Sequence, residues 1–266
     1  MRLTFLGTGT SQGVPVIACG CRVCTSADPR DTRLRTSALL SLPNPHSPRL
    51  TNILIDIGPD FRQQMLRERV DHLDAILITH AHRDHVGGLD DIRSFNYVQH
   101  RKMDIYLNRE ARTAIERDYH YIFEPHEFPG LPEAELHEFD SANVAEEKEL
   151  SCGVRVTPIR AMHKNLPVLG YRIGRLAYVT DANHIEPGEL EKMRGVDILV
   201  INALRKERHF SHYCLPEALE VIGKVGPKRA YLTHISHEMG LHAEVEKELP
   251  KGVELAYDGL TVEIED

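Results

Sequence analysis

The sequence predicts an α/β fold of two sheets covered by helices on their outer faces, and three observations carry that prediction. Short β-branched runs recur along the 266 residues, helical candidates with apolar spacing near 3.6 lie between some of them, and no linker or repeat divides the chain. Residues 1–266 therefore read as one domain. A doubly wound sheet would give the same alternation of elements and stays open on pattern alone.

The elements follow in order. Strands are expected at Leu3 to Gly7, Ala38 to Leu42 and Asn52 to Ile57, the last two joined by an exposed Pro-rich turn over Pro43–Pro48. A helix is expected over Asp60 to Glu68, then a strand at Ala75 to Thr79, a strand at Asp104 to Leu107 and a helix over Asn108 to Tyr119. Between Glu124 and Leu150 nine acids face one base, Lys148, so this stretch reads as a solvated insertion. Strands at Val154 to Ile159, Gly170 to Ile173 and Leu176 to Thr180 precede a helix over Glu186 to Met193. A strand at Asp197 to Asn202 is followed by a helix over Pro216 to Val225, where Pro216 and Glu217 suit a first turn. Arg229 to Thr233, a helix over Ala243 to Leu249, and a strand at Gly252 to Ala256 close the series.

Composition excludes several classes of function. With 41% hydrophobic and 27% charged residues the chain has an ordinary globular balance. Its longest apolar runs, such as Ile198 to Ile201, are far short of the roughly 20 residues that span a bilayer, so no membrane partner is expected. The start, Met1-Arg2-Leu3-Thr4-Phe5-Leu6, lacks the long apolar core of a signal peptide, which makes a cytoplasmic location the expectation. The net charge of −8 lies in the acidic stretch, and the remainder is balanced. A grip on extended nucleic acid needs clustered Lys and Arg, and the loose group Arg22, Arg30, Arg33 and Arg35 reads as a solvated loop.

Histidine placement carries the chemistry. Sixteen histidines outnumber the tyrosines and the phenylalanines taken separately. Ile76-Leu77-Ile78-Thr79-His80, Ala177-Tyr178-Val179-Thr180-Asp181 and Ala230-Tyr231-Leu232-Thr233-His234 each run from apolar strand through Thr to a ligand-type residue, and Val154 to Ile159 leads to His163. Strand ends on a rigid scaffold hold such groups in place. The densest cluster is His80-Ala81-His82-Arg83-Asp84-His85 before Gly87-Gly88. His80 and His82, two apart, face one side of an extended segment and can share one metal ion, while Asp84 and His85 can be aimed at a second. Two ions about 3.5–4 Å apart need a bridging carboxylate, for which Asp181 is the candidate, with His163 and His234 completing the pair of sites.

This assembly resembles the metallo-β-lactamase superfamily, whose His-x-His-x-Asp-His motif stands unbroken at residues 80–85, with Asp56, His163, Asp181 and His234 in the order that the superfamily uses. The resemblance implies a four-layer αββα sandwich. It implies one divalent ion held by His80, His82 and His163, another by Asp84, His85 and His234, Asp181 between them, and Asp56 orienting ligands through hydrogen bonds. Zinc or manganese is expected, and iron suits the same donors. His85 distinguishes the chain from true metallo-β-lactamases and points to the phosphodiesterases and thioester hydrolases of the superfamily. Gly7-Thr8-Gly9-Thr10-Ser11-Gln12-Gly13-Val14-Pro15, Cys19-Gly20-Cys21-Arg22-Val23-Cys24 and Leu232-Thr233-His234-Ile235-Ser236-His237 look like the PhnP-like phosphodiesterases.

Cys19, Cys21 and Cys24 have a spacing that suits a closed zinc site once a fourth ligand arrives, and the PhnP-like resemblance supplies it as His237. A reduced cysteine-rich loop is the alternative reading of the thiols. Cys152 and Cys214 are expected to be free. The same resemblance makes His212, in Phe210-Ser211-His212-Tyr213, a proton donor to the leaving oxygen or a phosphate ligand, where the residues alone suggest a helix-cap histidine. Overall, the expected function is hydrolysis of a small phosphodiester, cyclic ribose phosphates included, by a hydroxide that the two ions hold. Transfer-RNA 3′ processing and glyoxalase II-like thioester hydrolysis are the alternatives. A two-fold homodimer is the expectation from the general frequency of such assemblies.

Overall fold

In the computed structural model, which describes residues 1–45, 47–124, 130–139 and 147–265, side-chain alternation decides how the layers stack. Along β3 (Thr51–Ile55) and β4 (Ala75–Leu77), Ile53, Ile55, Ala75 and Leu77 face one way and Leu54 and Ile76 the other, and all six are buried. Strands that are apolar on both faces need a layer on each side. One side is a second sheet and the other a layer of helices.

The first sheet has the order β14 (Thr261–Glu263), β1 (Arg2–Gly7), β2 (Ser37–Leu42), β3, β4, β5 (Met103–Leu107), β6 (Ala134–Glu138), parallel from β3 to β6. The second has the order β13 (Val253–Leu255), β12 (Arg229–Thr233), β11 (Ile198–Asn202), β10 (Leu176–Val179), β9 (Leu166–Ile173), β8 (Arg155–His163), β7 (Lys148–Glu149), parallel from β10 to β13. Between the sheets lies a core in which Phe5, Leu40 and Ile55 meet Tyr171, Tyr178 and Tyr231. Outside the first sheet, α1 (Phe61–Glu68), α3 (Arg93–Gln99), α4 (Arg109–Asp118) and α5 (His120–Phe123) bury Phe61, Phe95, Ile115 and Ile122. Outside the second, α6 (Pro187–Lys192), α7 (Leu215–Val225) and α8 (His242–Val245) close over Leu199 and Leu232. A short α2 (Arg83–Val86) sits at the end of β4. This is the αββα sandwich, and the doubly wound alternative is excluded because two sheets share one inner core. Among the described residues no helix is long and apolar enough to cross a membrane.

Several elements depart from the sequence reading. Of the expected helix over Ala243 to Leu249 only residues 243–245 are helical, within His242–Val245: Pro250 disfavours helix in the residue before it, and the Glu246 carboxylate accepts the Leu255 N–H at 3.0 Å. Helix α3 escapes the sequence pattern because Tyr97 and Val98 are exposed and only Phe95 is buried, so no apolar stripe forms. Strand β6 shows one buried residue, Ala134, and lies at a sheet edge. Hairpin β8–β9 runs longer than expected, through Pro158 and Pro167.

The arginine group is also corrected. Arg33 is 3% exposed rather than solvated, and it donates to Thr8 Oγ1 at 2.8 Å, to the Ala256 carbonyl and to His242 Nδ1 at 3.2 Å. A buried guanidinium keeps its place only when its N–H groups are so satisfied. Arg35 pairs with Asp60 at 2.9 Å, Arg30 with Asp28 at 2.7 Å, and Arg22 with Glu244 at 2.8 Å. His46, His126 and much of the acidic insertion lie outside the described residues.

Candidate metal centre

All the clustered histidines converge where strands of the two sheets end. Asp56 follows β3, His80 and His82 follow β4, His163 ends β8, Asp181 follows β10, and His234 follows β12. Three of these take left-handed backbone conformations that non-glycine residues rarely adopt: Asp56 (φ 61°), Asp181 (φ 54°) and His234 (φ 55°). Strain of this kind costs on the order of 1–3 kcal/mol per residue and persists where surrounding structure over-determines it. Here the left-handed turn comes at the end of a strand whose last four residues are buried, and it turns the side chain out of the strand's alternation.

Glycine makes the close approach feasible. A Cβ on Gly58 would lie 2.1 Å from the Asp84 carbonyl oxygen, and one on Gly88 would lie 2.4 Å from the Gly58 carbonyl oxygen. The turn that carries Asp84 and His85 therefore seats directly on the chain after Asp56.

Four of the histidines, His80, His85, His163 and His234, are each held by a hydrogen bond at one ring nitrogen. Asp56 accepts the Thr79 backbone N–H at 2.8 Å, the Thr79 hydroxyl at 2.8 Å and His85 Nδ1–H at 2.6 Å. Because the Thr79 hydroxyl donates to Asp56, it accepts from His80 Nδ1–H at 3.0 Å. His163 Nδ1–H donates to the Ser211 carbonyl at 2.8 Å, and His234 Nε2 meets the Thr10 hydroxyl at 3.2 Å. What remains is His80 Nε2, His85 Nε2, His234 Nδ1 and His212 Nδ1, all buried and all without a hydrogen bond. Unpaired buried nitrogens are costly and rare, and those of His80, His85 and His234 around one carboxylate are of the kind that cations would satisfy through their lone pairs.

The donor atoms of Asp84, His85, Asp181 and His234 lie within 4.8 Å of one another. Asp181 Oδ2 stands 3.0 Å from His85 Nε2 and 3.1 Å from His234 Nδ1, and Asp84 Oδ2 stands 3.2 Å from His85 Nε2. On its other side Asp181 forms a second compact set with His163 and His212, its Oδ1 lying 3.5 Å from His212 Nδ1. His80 and His82 border that set: ring centroids are 4.5 Å apart for His80 and His82 and 5.1 Å for His82 and His163. The sequence-derived group His80, His82 and His163 is thus contiguous, and His212 joins it. Asp181 faces both sets, as a bridging carboxylate must. Two divalent ions fit this donor set.

Electrostatics agree with a centre that wants positive charge. Burial works against a charged Asp181, yet His234 and then His85 outweigh it and hold the carboxyl well below its usual range. Burial likewise opposes protonation of His85, but Asp181, Asp56 and Asp84 together push its pKa well up. A proton and a metal ion are alternatives for the same lone pair, so this is the nitrogen from which an ion displaces a proton. Burial keeps His80 well below its ordinary value, and burial with the neighbouring His234 takes His212 down to about 3. Both shifts favour the neutral imidazole.

A second donor set lies a few residues away. His237, in a short 3₁₀ turn after His234, places Nδ1 3.3 Å from Cys19 Sγ, 3.3 Å from Cys21 Sγ and 3.5 Å from Cys24 Sγ. Zinc with Zn–S bonds of about 2.3 Å and Zn–N bonds of about 2.0 Å spaces tetrahedral ligands roughly 3.5–3.8 Å apart, so the four donors nearly surround one such ion already. The Val16 N–H donates to Cys24 Sγ at 3.3 Å, and the Cys24 N–H with His237 lowers the Cys21 thiol to about 6. Cys24 moves the other way, burial pushing it up to about 11. A single zinc ion would reconcile these thiols by taking all of them as thiolates. Cys152 is free, and Cys214, also free, caps α7.

Sequence reasoning missed several partners of these ligands. Thr79, Thr10 and Ser211 orient His80, His234 and His163, and of these only the Thr before His80 had a visible signal, in the repeated strand-Thr-ligand pattern. His209 had no such signal, yet its ring lies 5.3 Å from that of His212.

A family model described as a β-lactamase superfamily domain matches residues 51–235. The chain belongs to the metallo-β-lactamase superfamily. Within the superfamily it is similar over 99% of its length, and 98% of the other chain, to a crystal structure of a diphosphatase from the PhnP family, with a TM-score of 0.88 and 37% identity. Human tRNase Z, short form, superposes with a TM-score of 0.72 at 20% identity over the whole of both chains, a likeness that shows the fold alone. An octanoyltransferase from Porphyromonas gingivalis is 40% identical over 267 residues, which are 100% of this chain and 52% of that protein. The chain thus spans about half the length of that relative.

Proposed function

We propose that the protein is a dinuclear metal-dependent phosphodiesterase acting on small substrates, ribose cyclic phosphates among them. The observation that carries this reading is the ring of buried, hydrogen-bond-free histidine nitrogens around Asp181. One ion would be held by Asp84, His85 and His234, the other by His80, His82 and His163, with Asp181 shared. When bound, such a pair lowers the pKa of water toward neutrality and offsets the charge of phosphate oxygens.

The chain's own residues supply the rest. Asp56 and Thr79 fix the tautomers of His85 and His80, so the open nitrogens point inward before substrate arrives. His212 lies against Asp181 and, as a neutral imidazole, donates its N–H to a phosphate or leaving oxygen. The three thiols and His237, holding one structural zinc, would pin the 19–24 loop beside His234. The similarity to a PhnP-family diphosphatase supports a phosphorus centre as the site of attack.

A second reading has one observation of its own. The octanoyltransferase relative is named for acyl transfer, and a water nucleophile at a dinuclear site also suits a thioester. Metal-quantified protein assayed on bis-p-nitrophenyl phosphate, a ribose cyclic phosphate and an acyl thioester separates the two. Diesterase activity that tracks two active-site ions and is lost in Asp181→Ala supports the first reading. Cleavage of the thioester alone by fully metallated protein refutes it.

A further inference from the structure

A cleft of about 490 Å³ opens beside the histidine cluster, lined by Asn183, Arg208, His209, Phe210 and Glu217. It is joined to the metal-binding strands by hydrogen bonds rather than lying near them by accident. Asn183, two residues past Asp181, accepts the Lys164 N–H at 2.7 Å and donates to the Phe210 carbonyl at 3.3 Å, so the residue after His163 and the 208–210 segment share one brace. The loop itself is fixed. Arg205 donates to the carbonyls of Glu207 and Arg208 and pairs with Glu238 at 2.6 Å, while the Leu204 N–H donates to the Tyr213 carbonyl across the loop's neck.

On this rigid frame three side chains stay open to solvent. Phe210 is 69% exposed, with the Lys164 ammonium 5.3 Å from its ring centre. An aromatic ring this exposed, its centroid 4.4 Å from that of His209 on the same braced loop, offers its solvent side to a planar ligand. Lys164 is exposed and has no carboxylate partner among the described residues. The Arg208 side chain, 87% exposed, pairs among the described residues with Glu217 alone, at 3.5 Å. Two loosely partnered cations flanking an open aromatic face match a ligand that is anionic at one end and planar at the other.

We propose that Lys164, Arg208 and Phe210 form a subsite for a leaving group carrying a phosphate and an aromatic base, which makes nucleoside diphosphate esters substrates. The inference rests on the phosphodiesterase reading and names its substrate class. In the cleavage it describes, the oxygen of water bonds to the phosphorus at the histidine centre. The bridging P–O bond breaks, its electron pair leaves with the nucleoside monophosphate held in the cleft, and the two protons of water end one on each phosphate product.

Calorimetric titration of metal-loaded protein with AMP and with ribose 5-phosphate tests the subsite without turnover. AMP is expected to bind at least tenfold tighter, the scale of one base stacked on one aromatic ring. Phe210→Ala should abolish that preference and Phe210→Trp restore it, while Lys164→Met weakens both ligands. In turnover, Phe210→Ala should lower kcat/KM on ADP-ribose at least fivefold more than on a ribose cyclic phosphate, chiefly through KM. Equal affinity for AMP and ribose 5-phosphate, or a preference that survives in a folded Phe210→Ala protein, overturns the subsite. If AMP preference depends on Phe210 but no phosphodiester is hydrolysed, the subsite stands and the phosphodiesterase reading falls.

Discussion

On the proposed reading, Asp56→Asn isolates the group that aims the metal ligands without itself facing an ion. The substitution keeps shape but replaces a carboxylate that accepts three hydrogen bonds, from the Thr79 N–H, the Thr79 hydroxyl and His85 Nδ1–H. An amide has one accepting oxygen. Its NH₂ must then face either the fixed Thr79 backbone N–H, in the place of Oδ1, or both the Thr79 hydroxyl and the Nδ1–H of His85, in the place of Oδ2, and the hydroxyl can turn away only by giving up its role toward His80. The charge-assisted bond to His85 contributes roughly 1.5–3 kcal/mol, and opposing N–H groups in a fully buried site add a cost of about 1–3 kcal/mol. Some of that is recovered by rotating His85, so metal affinity is expected to fall about 10- to 100-fold, the usual effect of losing a ligand's orienting partner. Competition against a chelator of known affinity, with circular dichroism to verify the fold, measures it. A folded Asp56→Asn protein that binds both ions within twofold of the wild type would show that the Asp56 hydrogen bonds do not set ligand orientation, and the reasoning would fail.

Cys24→Ser should reduce bound zinc by one ion per chain, read by elemental analysis in an Asp181→Ala background that empties the catalytic pair; an unchanged zinc count would sink the assignment of the four donors. The fold should survive, because the three apolar clusters do not depend on that loop, and amide exchange should rise over residues 16–25. His242 predicts an acid limb of stability. Burial, then the charges of Arg33 and Arg30, lower it from 6.5 to about 4, so the unfolded chain takes up a proton first. Stability is full above about pH 6.5 and declines as pH falls toward 4, by on the order of 1–3 kcal/mol for this group. Urea titrations at stepped pH should show that decline, and His242→Gln should flatten it; equal slopes in both proteins would refute it.

The sequence by itself determined which residues could hold metal. The unbroken run at residues 80–85, the Thr-then-ligand endings of three strands and the C-x-C-x-x-C spacing are local patterns, and local patterns survive being read in one dimension. Elements with little burial, such as α3 and the edge strand β6, left no periodic trace, because periodicity records burial and these have little.

Tertiary structure decided how those residues meet. That Asp56, Asp181 and His234 share a left-handed turn follows from strands ending beneath a neighbouring layer, which no spacing shows. Thr10 and Ser211 reach His234 and His163 across 224 and 48 positions, and Arg33 lies buried against His242 across 209, since packing joins residues that the chain keeps far apart. The cleft at Phe210 is likewise a product of packing: Asn183 binds two segments whose sequences carry no mutual signal. Ligand identity is a property of side-chain chemistry and is written in the chain, whereas ligand orientation depends on which surfaces the folded layers bring into contact.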